Sequence, residues 1–167
     1  PESILNWNGS VEHIAITPLI ADPDRAFDGD RFEASADRDL LLVSEFQRIL
    51  EQLYERDYVL VDGRSFGSDD GHARAVPYPE GKKPLCLVLD DFFSSEARVE
   101  SGIAARLDLD GDGHIIGVVR DRDGTERADR FFTAIGVVED FIDRHPDFSF
   151  NGATGTISVV SMNGLFG

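Results

Sequence analysis

Residues 84–91, Pro84-Leu85-Cys86-Leu87-Val88-Leu89-Asp90-Asp91, decide how this chain folds. An unbroken apolar run opened by a proline fits a strand covered on both faces, as in parallel sheets, and the two carboxylates mark where it stops. Upstream, residues 11–17 alternate and end before Pro18, which predicts a first strand. Residues 21–39, rich in Asp, Arg, Gly and Ala, predict a long surface loop pinned by Phe27 and Phe32. Ser44 and Gln47 have capping-box spacing, and Phe46, Ile49, Leu50, Leu53 and Tyr54 share one helical face, so a helix is expected to open at Ser44. Residues 58–61 predict a short strand and residues 62–80 a loop. Downstream, residues 104–110 and 114–120 predict a hairpin turning at Gly111-Asp112-Gly113 and closed by Asp121-Arg122-Asp123-Gly124. A second helix is expected over 128–145, where Phe131, Ile135, Val138, Phe141 and Ile142 recur at helical spacing before Pro146. Thr156-Ile157-Ser158-Val159-Val160 predicts a last strand. This order predicts an α/β fold with mostly parallel strands and an inserted β-hairpin, in a single domain over residues 1–167.

Composition supports a packed domain: 167 residues, 41% of them apolar, are enough for one core. No apolar run approaches the roughly 18 to 20 residues that span a bilayer, and Pro1-Glu2-Ser3 does not open a signal peptide. Sixteen basic against 32 acidic residues give a net charge of −16, which repels phosphate backbones and excludes a general nucleic-acid binder. The same charge disfavours anionic lipid and leaves neutral or cationic partners open, sugars and metal ions among them. The single cysteine, Cys86, allows no internal disulfide and no Cys-based zinc cage.

Two constellations carry chemistry. Ligand-binding and catalytic groups of parallel α/β sheets gather at the carboxyl ends of strands, the place of Asp90-Asp91, where one carboxylate can hold a divalent ion and the other take a proton from water. A solvated pair capping a loop is the plainer alternative, as for Asp69-Asp70 and Glu139-Asp140. Asp108-Leu109-Asp110-Gly111-Asp112-Gly113-His114-Ile115 opens like a calcium loop, but Val119 stands where the bidentate Glu is required, so a solvated hairpin turn is favoured. His13, His72, His114 and His145 have no zinc-motif spacing, and His145 suits a helix C-terminus. Cys86, inside the apolar run, reads as an inert small hydrophobe, and Trp7 as a pin for the N-terminal segment.

Taken in order, these segments resemble the polysaccharide deacetylase family of carbohydrate esterases, the NodB-homology fold. Val-Glu-His-Ile-Ala-Ile-Thr-Pro-Leu-Ile resembles that family's opening strand, and Ser-Glu-Phe-Gln-Arg-Ile-Leu-Glu-Gln-Leu-Tyr-Glu-Arg-Asp-Tyr-Val-Leu-Val its first helix and second strand. Pro-Glu-Gly-Lys-Lys-Pro-Leu-Cys-Leu-Val-Leu-Asp-Asp resembles the lead into its Thr-Phe-Asp-Asp-Gly motif, with Leu89 in place of Phe and Phe92 in place of Gly. The phrase His-Pro-Asp-Phe-Ser-Phe-Asn-Gly-Ala-Thr-Gly-Thr-Ile is similar to one in a subgroup of bacterial deacetylases. The resemblance implies a partial (β/α) barrel corresponding to the N-terminal portion of the family's domain, with the C-terminal half absent. It implies a hydrolase that removes acetyl groups from a polysaccharide outside the cell or at its surface. Asp90 would be the general base and Asp91 a ligand of a divalent metal, zinc, completed by a His-x-x-x-His motif that this sequence lacks. Phe92 and Phe93 would touch substrate. On this reading the chain alone is inactive, and it exposes a sheet edge that invites dimerisation. The rival readings are a non-catalytic carbohydrate-binding or cell-surface module on the same scaffold, with Phe92, Phe93 and Trp7 as contacts, and a calcium-stabilised structural module using the loop at Asp108 to Asp112.

Overall fold

In the computed structural model, which describes residues 3–68, 70, 72–92 and 95–159, the strands are β1 (Ile4–Trp7), β2 (Glu12–Ile16), β3 (Tyr58–Leu60), β4 (Val76–Pro79), β5 (Lys83–Phe92), β6 (Arg106–Leu109), β7 (Ile115–Arg120), β8 (Glu126–Asp129) and β9 (Thr156–Val159). The helices are α1 (Pro23–Ala26), α2 (Glu33–Asp39), α3 (Val43–Glu55), α4 (Glu96–Glu100) and α5 (Ala134–Arg144). β5 is the centre of a parallel sheet. β2 runs along one side of it, with Glu12 opposite Leu85 and Ile16 opposite Leu89. Two strands share the other side: β3 lies along Lys83 to Leu85, and β9 along Val88 to Phe92. β1 and β4 form a separate antiparallel ribbon, and β6, β7 and β8 a three-stranded antiparallel meander. The protein is thus a mixed α/β fold with several sheets.

The core lies between the parallel sheet and the two long helices. Phe46, Leu50 and Leu53 of α3 and Ile135, Val138 and Phe141 of α5 pack against Ile16, Leu60, Leu85, Leu87 and Leu89. Phe141 meets Phe148 edge-on at 5.2 Å between ring centres, and the His145 ring lies 4.7 Å from it at the end of α5, where the His145 N–H donates to the Phe141 carbonyl.

Several expectations need correction. α3 opens at Val43, because Ile20 N–H donates to Leu41 O and fixes the chain just before it; the capping pair is Leu42 and Glu45, whose carboxylate accepts the Leu42 N–H at 2.9 Å, not Ser44 and Gln47. Residues 21–39 are not one loop: α1 and α2 bury Ala26 and Ala36 beside Ile20, while Phe27 is 40% exposed and belongs to neither core cluster. Residues 62–80 contain a 3-10 turn at Gly63–Phe66 and strand β4, whose Pro77 and Pro79 sit on a two-stranded ribbon where proline's missing donor is tolerated. β5 runs through Asp90 and Asp91 to Phe92, because β9 pairs beside it. The expected helix over 128–145 begins only at Ala134, capped by Thr133, since Glu126–Asp129 pairs with β7 as a third strand.

Candidate active site

β5 divides its side chains between two environments. Leu85, Leu87 and Leu89 enter the helix-covered core, whereas Cys86 and Val88 line a groove of about 680 Å³ on the opposite face, with His13, Phe66, Val76 and Thr156. Asp90, half-buried, follows next on the Val88 side by strand alternation. There the ladder breaks step. From Leu89 to Phe92 β5 advances three residues while β9, from Ile157 to Val159, advances two, so Asp90 and Asp91 together oppose Ser158. One extra residue in a strand is a β-bulge, a device that bends the strand and re-aims a side chain, and bulges are over-represented beside active sites. The side chains of Asp91 and Phe92, and Phe93 altogether, lie outside the described residues.

Beside β5, the changeover from β3 to β9 opens a second cleft, of about 450 Å³, lined by Asp62, Arg64, Ser65, Phe150, Asn151 and Thr156. The cleft lies at the carboxyl end of β3, the end of a parallel strand at which α/β sheets accept ligands. Its near wall is built by Asp62, which accepts the Arg64 N–H at 2.9 Å and pairs with Arg64 Nη2 at 2.7 Å. The Arg64 side-chain bonds, then its backbone bond, hold the Asp62 carboxyl below the usual range. The far wall is the segment from Phe150 to Thr156, in which Asn151 adopts φ 54°. The sequence assigns this segment no site of its own; its signal is the cluster Asn151-Gly152-Ala153-Thr154-Gly155, a backbone-rich wall between two ordered elements.

Cys86 sits beneath Gly63, and burial, with a smaller push from the Asp62 charge, raises its thiol above the ordinary value, which leaves no basis for a nucleophile. Trp7 braces β1 against β4 within their separate ribbon and is not part of the core it was expected to reach: it meets Tyr78 edge-on at 5.5 Å, and its indole N–H donates to Ser10 O at 2.9 Å. Asp110, Asp112 and His114 are the one group of three metal-capable side chains among the described residues. Asp110 already accepts the backbone N–H groups of Asp112 and His114, each at 2.9 Å, and lies 3.2 Å from His114 Nδ1. Asp108 is drawn instead to Arg106 at 3.2 Å, and Val119 is buried in β7. The hydrogen bonds of the turn account for this cluster.

Zinc favours imidazole and thiolate donors. No described histidine joins Asp90 in a group of that kind, so the described residues do not by themselves fit zinc. No protein-family model, curated protein or solved structure matches the chain.

Proposed function

We propose that this chain is the N-terminal portion of a polysaccharide deacetylase, a hydrolase that frees acetate from acetylated sugars outside the cell or at its surface, on a partial (β/α) barrel. The observation that carries the reading is the bulge that sets Asp90 and Asp91 opposite Ser158, late in the central strand of a parallel sheet and on the way out of its core. Asp90 is the general base: it takes a proton from water as the water oxygen forms a bond to the acetyl carbon. The carbon–nitrogen or carbon–oxygen bond then breaks, the proton passes to the departing sugar group, and acetate leaves. Asp91 serves as a metal ligand only when histidines outside this sequence complete the set, and no step is assigned to the metal here.

The test is acetate release from an acetylated oligosaccharide by the full-length gene product. Asp90→Asn is expected to lower kcat at least about 100-fold, the usual scale of a lost general base, while metal content stays unchanged. Retained turnover overturns the assignment of Asp90. The reading also expects His-x-x-x-His encoded beyond Gly167; its absence from the gene removes the hydrolase and leaves a carbohydrate-binding module. β2 has β5 as its one strand partner among the described residues, so a dimer through this edge is part of the proposal, and a clean monomer in light scattering removes it.

A further inference from the structure

A third cavity, of about 670 Å³, lies between the start of the α1–α2 region and the α4–β6–β7 region, and its charge is opposite to that of the chain as a whole. With only 16 basic residues against 32 acidic ones to distribute, the fold brings Arg25, Arg31 and Arg120 to this one groove, where Glu100 is the sole carboxylate among the described lining residues. Arg25 is a fixed wall. Its side chain is 11% exposed, Nη2 donates to Glu100 Oε1 at 2.6 Å, Nη1 donates to Arg120 O at 3.0 Å, and Nε has no partner among the described residues. Arg31 lies over the Phe32 ring, 4.6 Å from its centre, with no carboxylate partner among the described residues. A guanidinium laid on an aromatic face is held in place while its donor edge stays open, the arrangement that suits a carboxylate. Arg120 shares Glu126 at 3.2 Å and remains 53% exposed.

The net charge of −16 does not decide the matter. At physiological salt, charges beyond about 8 Å are largely screened, so the groove's own arginines govern an anion that has reached it. Ser95 lines the groove five residues after Asp90, so it lies no more than about 18 Å from it along an extended chain. That bound is within the span of an oligosaccharide.

We infer that this groove binds a carboxylate carried by the polysaccharide, which makes the substrate an acidic, uronate-containing glycan. The identification of the anion's carrier as substrate rests on the deacetylase reading; the anion site rests on the groove. Calorimetric titration of the chain with an oligogalacturonate, with its methyl ester and with inorganic phosphate, metal-free and without turnover, tests it. The acid is expected to bind at least about ten-fold more tightly than the ester, as one lost charge-assisted contact predicts, and to weaken as ionic strength rises. Arg31→Gln is expected to remove that factor, and Arg120→Gln serves as the second variant, each checked for folding by circular dichroism. Equal affinity for acid and ester, or unchanged affinity in both folded variants, overturns the inference. Phosphate binding as tight as the oligogalacturonate overturns the sugar carrier. Oligogalacturonate binding by a full-length protein that releases no acetate overturns the deacetylase alone, and acetate release from neutral glycans without uronate binding overturns the groove alone.

Discussion

The two faces of β5 are built by different means. On one, Leu85, Leu87 and Leu89 are sealed by side chains of α3 and α5 and by the Phe141–Phe148 ring contact. On the other, Cys86 and Val88 are roofed by the segment around Gly63 and by Val76, and a groove remains. The same strand thus supplies cohesion to one side and room to the other. The contrast breaks if truncation costs as much per carbon removed on the groove face as on the helix-covered face. Phe141→Ala is expected to lower stability by about 3–5 kcal/mol and Leu87→Ala by about 2–5, because rigid helices cannot close the cavity. Val88→Ala, half-buried beside an existing groove, is expected to cost about 1 kcal/mol or less. Urea denaturation of the three variants gives the comparison directly.

The meander region packs Leu107 and Ile115 into the main core and is tied to the α1 region by backbone contacts and ion pairs. Gly102 accepts the N–H groups of Ala21 and Asp22, at 2.8 and 2.9 Å, and holds φ 75°, with a Cβ there meeting Asp22 O at 2.2 Å. Gly102→Ala combines a left-handed backbone with overlap against main chain, and a loss of about 3 kcal/mol is expected. Arg127 bridges the same regions, reaching Asp22 at 2.9 Å and Asp121 at 2.8 Å, but its side chain is 48% exposed. Arg127→Ala is therefore expected to cost less than about 1 kcal/mol, and salt should shrink the difference. A larger loss for Arg127→Ala than for Gly102→Ala would mean that charge, not backbone fit, holds the region on.

What was legible in the sequence follows this division. β5, α3 and α5 announced themselves because burial on a long element repeats its period many times, as Phe46, Leu50 and Leu53 do. α1 and α2 did not, because Ala26 and Ala36 bury through small side chains in elements too short to show a period. β8 was hidden for the opposite reason: Glu126-Arg127-Ala128-Asp129 is exposed throughout, and backbone pairing to β7 alone makes it a strand. At the candidate site, the strand that carries Asp90 was readable, but its continuation to Phe92 and the bulge were not, since both depend on the register of β9 against β5, a long-range pairing that no local pattern encodes. The arginine groove was equally invisible, its members being scattered from Arg25 to Arg120.

The smallest expected effect concerns the β6–β7 turn, whose acidic cluster invites a metal reading that its hydrogen bonds make unnecessary. The His114 backbone N–H, joined by that of Asp112 and the His114 ring and opposed by burial, holds the Asp110 carboxyl below the ordinary range. A carboxyl whose value is lowered in the fold binds fewer protons there than in the unfolded chain. Its contribution is complete above the ordinary carboxylate value of about 4 and disappears as pH falls through the lowered one. The Asp112 and His114 amide resonances should therefore share a step below about pH 4. Asp110→Asn keeps an oxygen for both N–H groups and should abolish that late step while leaving the turn in place at neutral pH. A calcium-dependent rise in Tm that Asp110→Asn removes would make the turn a metal site after all, and the contrast between a structural turn and the site proposed at Asp90 would fall with it.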